Sequence, residues 1–241
     1  VLSVISMALS VRVFGRGIGE VSCKYHLNYS PATNAFRIWG LIYSSAIVTV
    51  IAQWASHMFA DPRANFLYAS AWLCASLWTP FFTADKKWTH IVASIVLCVC
   101  ASCAIGAVVV ERAWHHGVEE RKRWYIAAPF SLLAGWTLTA AALSVGIAYE
   151  ANDDAPDDDC KSERSGYNIL NTQINDVNYS FAPLVISVVV FIVSVLLSDP
   201  ILPLPVIWGV FHMIPSKPNF WGLGFLFLAT CIAMIRVLMV V

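Results

Sequence analysis

The distribution of charge along the chain constrains its fold more than any other feature. Asp, Glu, Lys and Arg are absent from seven long, largely apolar runs of 17 to 26 residues. The runs cover residues 38–60, 64–84, 88–110, 124–149, 177–198, 200–216 and 218–235. A helix needs roughly 20 apolar residues to cross a bilayer core of about 30 Å. Because the runs are continuously apolar rather than alternating, they predict membrane-spanning helices and not barrel strands.

The overall composition agrees with this pattern. Hydrophobic residues make up 59% of the 241 residues and charged residues 12%, whereas soluble domains carry roughly 25% charge. The formal net charge is zero, so no field of one sign would attract nucleic acid. Residues 1–14 look like the end of one more apolar helix, bounded by Arg12 and Arg16. We therefore predict an all-α, polytopic helical membrane protein with seven or eight transmembrane spans.

The two largest concentrations of charge divide this single transmembrane domain, residues 1–241. Segments 111–123 and 150–164 hold more than half of the charged residues. We predict four parts: a partial first span and loop (1–34), core helices (35–149), an acidic loop (150–180) and C-terminal spans (181–241). Cys23 and Cys160 are the two cysteines predicted in loops, on one side of the membrane, and the sequence leaves their pairing open.

Neither a catalytic centre nor a metal site is predicted. Glu111, His115, His116 and Glu119 have the spacing of metal ligands on a helix, but a solvated loop with a charged turn at the membrane interface is the better explanation. No nucleophile, base and acid set is legible, and no lysine lies within an apolar run. The chain is therefore predicted not to be an enzyme.

Aromatic residues form the informative pattern. Phe36, Trp39 and Tyr43 lie on one face at the start of the second span, because their spacing follows the helical repeat. Pro80, in the sequence Trp78-Thr79-Pro80-Phe81-Phe82, should end or kink the third span. In the fifth span Trp136 is followed on the same face by small residues, which leaves room beside the ring for a flat partner. Two interpretations follow: rings that fill the core of the bundle, or a ligand pocket.

At these residues the sequence resembles the TspO/translocator-protein superfamily, also called tryptophan-rich sensory proteins. The stretch 31–43 is similar to the family's proline-to-FxIWGLIY segment, and residues 78–82 are similar to its W-S-P-L-F-F. Trp136, Ala140 and Leu143 match its W-x-x-x-A-x-x-L-N motif, with Ser144 in the place of the Asn.

The resemblance implies a TspO-like five-helix core, here spans two to six, with extra helices. It also implies that porphyrin, haem or a sterol binds in an aromatic-lined pocket within the helix bundle. On this analogy the lining residues are Trp39, Tyr43, Trp78, Phe82, Trp136, Ala140 and Ser144. The sequence does not specify the cofactor, and bound lipid or pigment is expected at the surface.

A second function class stays open beside ligand binding. The chain could be a non-catalytic structural or accessory subunit of a larger organellar membrane complex, with its aromatic residues used for packing. The expected partners are the lipid bilayer, other membrane subunits and a second copy in a homodimer, and nucleic acid is excluded. The sequence predicts an organellar membrane without specifying which one.

Overall fold

In the computed structural model, the residues described are 2–25, 33–56, 59–114, 120–151, 190, 192–194, 196–197, 199 and 201–213. Within these ranges the chain is helical, with short turns and no strand. The all-α prediction is therefore confirmed. Almost all of the acidic loop, residues 150–180, lies outside the described residues. The last apolar run, residues 218–235, lies outside them completely.

Seven α-helices and one 3-10 helix are described. They are α1 (Leu2–Phe14), α2 (Ile18–Lys24), the 3-10 helix Thr33–Arg37, α3 (Ile38–Ser56), α4 (Pro62–Thr83), α5 (Lys87–Trp114), α6 (Glu120–Glu150) and α7 (Leu204–Met213). The first four charge-free runs coincide with α3 to α6, and the apolar N-terminal residues form α1.

Three of the described helical segments are long and apolar enough to cross a membrane: Asn34–Ala55, Lys87–Arg112 and Ile126–Tyr149. The 22-residue α4 also has the length, but its many Ser, Thr, Pro and aromatic residues lower its mean hydropathy. The described part of the chain thus has the character of a membrane protein. The count of seven or eight spans and the five-helix core stay predictions.

The limits of α4 follow from its sequence. Asp61 is the N-cap, with its carboxylate accepting the Arg63 backbone N–H at 2.7 Å, and Pro62 follows as the first helical residue. Pro80 lies inside the helix, which ends at Thr83, three residues later than Pro80 itself. Since proline has no N–H, the carbonyl of Ser76 loses its helical donor, and the Ser6 hydroxyl of α1 donates to it at 2.5 Å.

The helices pack in a definite order. α4 lies between α1 and α5, and α6 contacts α5, α3 and α7. Small residues allow the close approach of α4 and α5: Cys100, Ala104 and Ala107 are fully buried, and the Cys100 thiol donates to the Ala71 carbonyl at 3.1 Å. The bundle therefore holds α3 against α6.

Candidate functional site

Rings from three helices and the 3-10 helix meet in one cluster, which we call the first aromatic cluster. Its members are Phe36, Trp39, Tyr43, Tyr68, Trp72, Phe130 and Trp136. Tyr43 and Trp72 are stacked, with ring centroids 5.0 Å apart. Trp39 meets Trp136 edge to face at 6.4 Å. These are the geometries that aromatic pairs prefer.

The cluster fills the space between α3 and α4. Trp39 and Tyr43 follow each other by one turn on α3, and Tyr68 and Trp72 do the same on α4. The backbone of α3 packs on α6, and the side chains of Trp39 and Tyr43 extend from α3 to contact Trp72 of α4. The two helices thus face each other through flat side chains, which is the arrangement that a flat ligand could enter.

Two polar atoms of this cluster have no hydrogen-bond partner among the described residues. They are the indole Nε1 atoms of Trp39 and Trp136. Trp39 is 7% exposed and Trp136 is 2% exposed, so both indole groups are shielded from bulk solvent. Buried indole N–H groups usually have an acceptor. Within the described part of the chain, the cluster therefore holds two indole N–H donors that have no acceptor.

A second aromatic group surrounds the turn between α4 and α5. Trp78 and Phe82 lie 4.9 Å apart, and His90 contacts both Phe82, at 5.4 Å, and Tyr25, at 5.1 Å. Tyr25 follows α2, so this group joins the N-terminal helices to the α4–α5 turn. Among the described residues, the rings of Trp78 and Phe82 contact each other and His90 but no ring of the first aromatic cluster, so the two groups are separate.

A buried carboxylate, Asp85, organises this second group. It accepts hydrogen bonds from the Tyr25 hydroxyl at 2.7 Å and from Lys24 Nζ at 2.9 Å, contacts His90 Nε2 at 3.1 Å, and pairs with Arg16. Its side chain is 3% exposed. Burial opposes ionisation, but the hydrogen bonds from His90, Lys24 and Tyr25 outweigh it and hold the pKa of Asp85 well below its usual range.

The predicted site residues therefore fall into distinct places. Trp39, Tyr43 and Trp136 come together in the first aromatic cluster, and Trp78 with Phe82 forms part of the second group. Ser144 is fully buried and bonds to Ser94, whose hydroxyl donates to the Ser144 carbonyl at 2.8 Å and lies 3.0 Å from its hydroxyl. Ala140 is partly buried against the core.

Sequence analysis missed members of both groups. Tyr68 and Trp72 were not among the predicted lining residues, although their spacing of four on an apolar run was a usable signal. Phe130 contacts Tyr68 at 4.5 Å. Asp85 gave no signal, because a single acid in a short turn is typical of a solvated loop.

The suggested metal-ligand cluster is not assembled in the described residues. Glu111 Oε2 accepts the backbone N–H of Asp61 at 2.8 Å, and Glu111 is 2% exposed. His115, His116 and Glu119 lie outside the described residues. Among the residues that can be described, no three His, Cys, Asp or Glu side chains are placed to hold a metal ion.

Long apolar helices joined by short polar turns, with an aromatic cluster between them, define a helical membrane protein with a candidate apolar site. Residues 1–155 match the sequence profile of the family described as TSPO-like protein. Because this match covers more than half of the 241 residues, the chain belongs to the TSPO-like family. Comparison with curated proteins gave no match, and neither did comparison with solved structures.

Proposed function

We propose that this TSPO-like, multi-pass membrane protein binds a flat hydrophobic ligand, a porphyrin, haem or a sterol, at the first aromatic cluster. The protein would act by binding and not by catalysis. The observation that carries the proposal is the pair of buried indole N–H groups on Trp39 and Trp136, at the centre of the cluster, neither of which has an acceptor among the described residues. A ligand with oxygen acceptors on an apolar ring system would use both the ring faces and these donors.

The test uses Trp136→Phe, which keeps an aromatic ring and removes the indole N–H. We expect protoporphyrin IX or cholesterol to bind the variant about fivefold to tenfold more weakly, the factor of about one hydrogen bond to a buried group. Ligand absorbance or fluorescence in detergent gives the affinity. Trp54→Phe is the matched control, because Trp54 is 70% exposed on the same membrane protein. Equal affinities of wild type and Trp136→Phe for both ligands would refute this site.

A second candidate function is a structural subunit of a larger organellar membrane complex. The supporting observation is that the rings of the first aromatic cluster already contact each other, with Trp136 2% exposed, as rings that serve packing do. In that case the cluster would hold α3, α4 and α6 together without a ligand. Failure of both ligands to bind the wild type would favour this candidate.

A further inference from the structure

The end of the first aromatic cluster is covered by a segment outside the part of the chain that matches the family. This segment, which we call the cover, consists of residues 201–209 and includes the first turns of α7. The family match ends at residue 155. Gly209 of the cover lies against the cluster, because a Cβ there would be 3.8 Å from the Trp136 ring and 3.3 Å from the methyl of Thr139.

One end of the cover is held firmly. Asp199, fully buried, accepts a hydrogen bond from the Ser131 hydroxyl of α6 at 2.5 Å and forms an ion pair with Arg112 of α5 at 3.3 Å. Its other carboxylate oxygen accepts the backbone N–H groups of Ile201 and Leu202, at 2.9 and 3.2 Å. A buried carboxylate with this many donors is costly to release.

The same end is also fixed by shape. The Leu202 carbonyl oxygen lies only 2.2 Å from the position that a Cβ of Gly135 would take, and Pro205 lies 3.1 Å from it. The cover therefore rests directly on the backbone of α6, one residue before Trp136. Leu202 and Val206 are 1% and 3% exposed, so the contact is closely packed.

The other end is held differently. The Trp208 indole N–H donates to the Ala35 carbonyl of the 3-10 helix at 2.8 Å, while the Trp208 side chain is still 37% exposed. Phe36, the next residue, contacts the Trp136 ring at 6.1 Å. This neutral hydrogen bond joins α7 to the 3-10 helix, next to Phe36 of the first aromatic cluster.

We propose that the cover controls access to the first aromatic cluster: it turns about its Asp199 end, and the Trp208–Ala35 hydrogen bond is the contact that must open for a ligand to enter. Trp208 is thus a positioning residue of the ligand site. The inference rests on the proposed function for the ligand, but the movement of the cover can be measured without one.

The ligand-free test measures the accessibility of a cysteine at the residue whose carbonyl accepts the Trp208 hydrogen bond. Ala35→Cys is introduced alone and with Trp208→Phe, and maleimide labelling is followed by peptide mass spectrometry, because the chain has other cysteines. We expect Ala35→Cys to be labelled about fivefold faster with Trp208→Phe, the factor for one neutral hydrogen bond of about 1 kcal/mol. Ala93→Cys on α5 is the control, since Ala35 and Ala93 are both fully buried, and its labelling should not change.

The ligand test separates this role from general loss of stability. In Trp208→Phe, protoporphyrin IX should associate about fivefold faster in stopped-flow measurements, and the melting temperature should fall by no more than the loss of one neutral hydrogen bond explains. A purely structural role would leave association unchanged. Unchanged labelling at Ala35→Cys overturns the inference. Faster labelling with no porphyrin or sterol binding supports the moving cover and instead refutes the proposed function.

Discussion

Single side chains have consequences far from their place in the chain, and Asp85 is the strongest case. It follows the C-cap of α4 with φ of 52°, a left-handed conformation in which Asp is enriched among non-glycine residues. This conformation places its carboxylate among Arg16, Lys24, Tyr25 and His90, 60 to 69 residues away for the first three. One residue thus joins the N-terminal helices to the α4–α5 turn.

The lowered pKa of Asp85 predicts how stability depends on pH. Since the folded pKa lies below the unfolded value of about 3.9, the carboxylate stabilises the fold fully above that value, and this contribution is lost as pH falls toward the folded pKa. Asp85→Asn should be less stable by about 2 kcal/mol at pH 7 and should lose less stability on acidification below about pH 4. Thermal unfolding in detergent between about pH 3 and 7 measures both effects. An acid response equal to that of the wild type would contradict the assignment.

Gly135 tests the contact between α6 and the cover. A Cβ at this position would lie 2.2 Å from the Leu202 carbonyl oxygen, so Gly135→Ala must displace the cover and should cost about 1–3 kcal/mol. Gly40→Ala on α3 is a matched control, because no atom lies within 4 Å of its Cβ position. There, alanine should be neutral or stabilising, as it is the better helix former. Equal melting temperatures for the two variants would show that the close contact is absent.

At the scale of elements, helix pairs are joined where their backbone hydrogen bonding is incomplete. Pro80 leaves the Ser76 carbonyl without its helical donor, and α1 supplies the Ser6 hydroxyl in its place. α7 is joined to the 3-10 helix through a side chain instead, because the Trp208 indole N–H donates to the Ala35 carbonyl. A buried carbonyl needs a donor, so the Ser76 position favours the packing of α1 on α4.

The Ser6–Pro80 relation predicts a non-additive pair of substitutions. Ser6→Ala alone should cost about 1 kcal/mol, because it leaves the Ser76 carbonyl without a donor. With Pro80→Ala the helix itself supplies an N–H, so the additional loss on Ser6→Ala should fall to about half or less. Chemical or thermal unfolding of the four proteins measures the coupling. Strictly additive losses would mean that Ser6 acts on something other than this carbonyl.

At the scale of the whole molecule, charged groups lie at the two ends of the long helix α5. Asp85 precedes its first residue, and Glu111 and Arg112 lie near its last. The 28 residues of α5 rise by about 42 Å, close to the thickness of a bilayer with its headgroup regions. At each end the charged side chains contact other segments. Asp85 accepts a hydrogen bond from Lys24 of α2, Glu111 accepts one from the Asp61 backbone, and Arg112 forms an ion pair with Asp199. Buried charged groups thus join both ends of α5 to other segments, and residues 88–110 between them contain no Asp, Glu, Lys or Arg.

The size of the native assembly distinguishes the two proposed functions. After mild detergent extraction, a ligand-binding protein should migrate on a native gel as a monomer or a homodimer. A structural subunit should instead migrate with a complex many times its own 26.5 kDa. The chain alone, expressed without its native membrane, serves as the size standard. Exclusive comigration with a large complex, together with no porphyrin or sterol binding, would contradict the ligand-binding proposal.

The sequence alone determined the class of the protein and most of its described helices. Charge-free runs predicted α3 to α6 because burial in lipid and internal hydrogen bonding are properties of each segment by itself. The motifs around Trp39, Pro80 and Trp136 likewise indicated the family, since a motif is local. A helical repeat also showed which residues share a face, as with Trp39 and Tyr43.

Only the tertiary structure decided which faces meet. It stacked Trp72 on Tyr43, separated Trp78 and Phe82 into a second group, and paired Ser144 with Ser94. The periodicity of a helix gives the direction of a side chain but not the neighbour that it contacts, because that depends on the packing of all helices together. For the same physical reason Asp85 and Asp199, each an isolated acid in the sequence, became buried anchors only when distant segments brought their donors together.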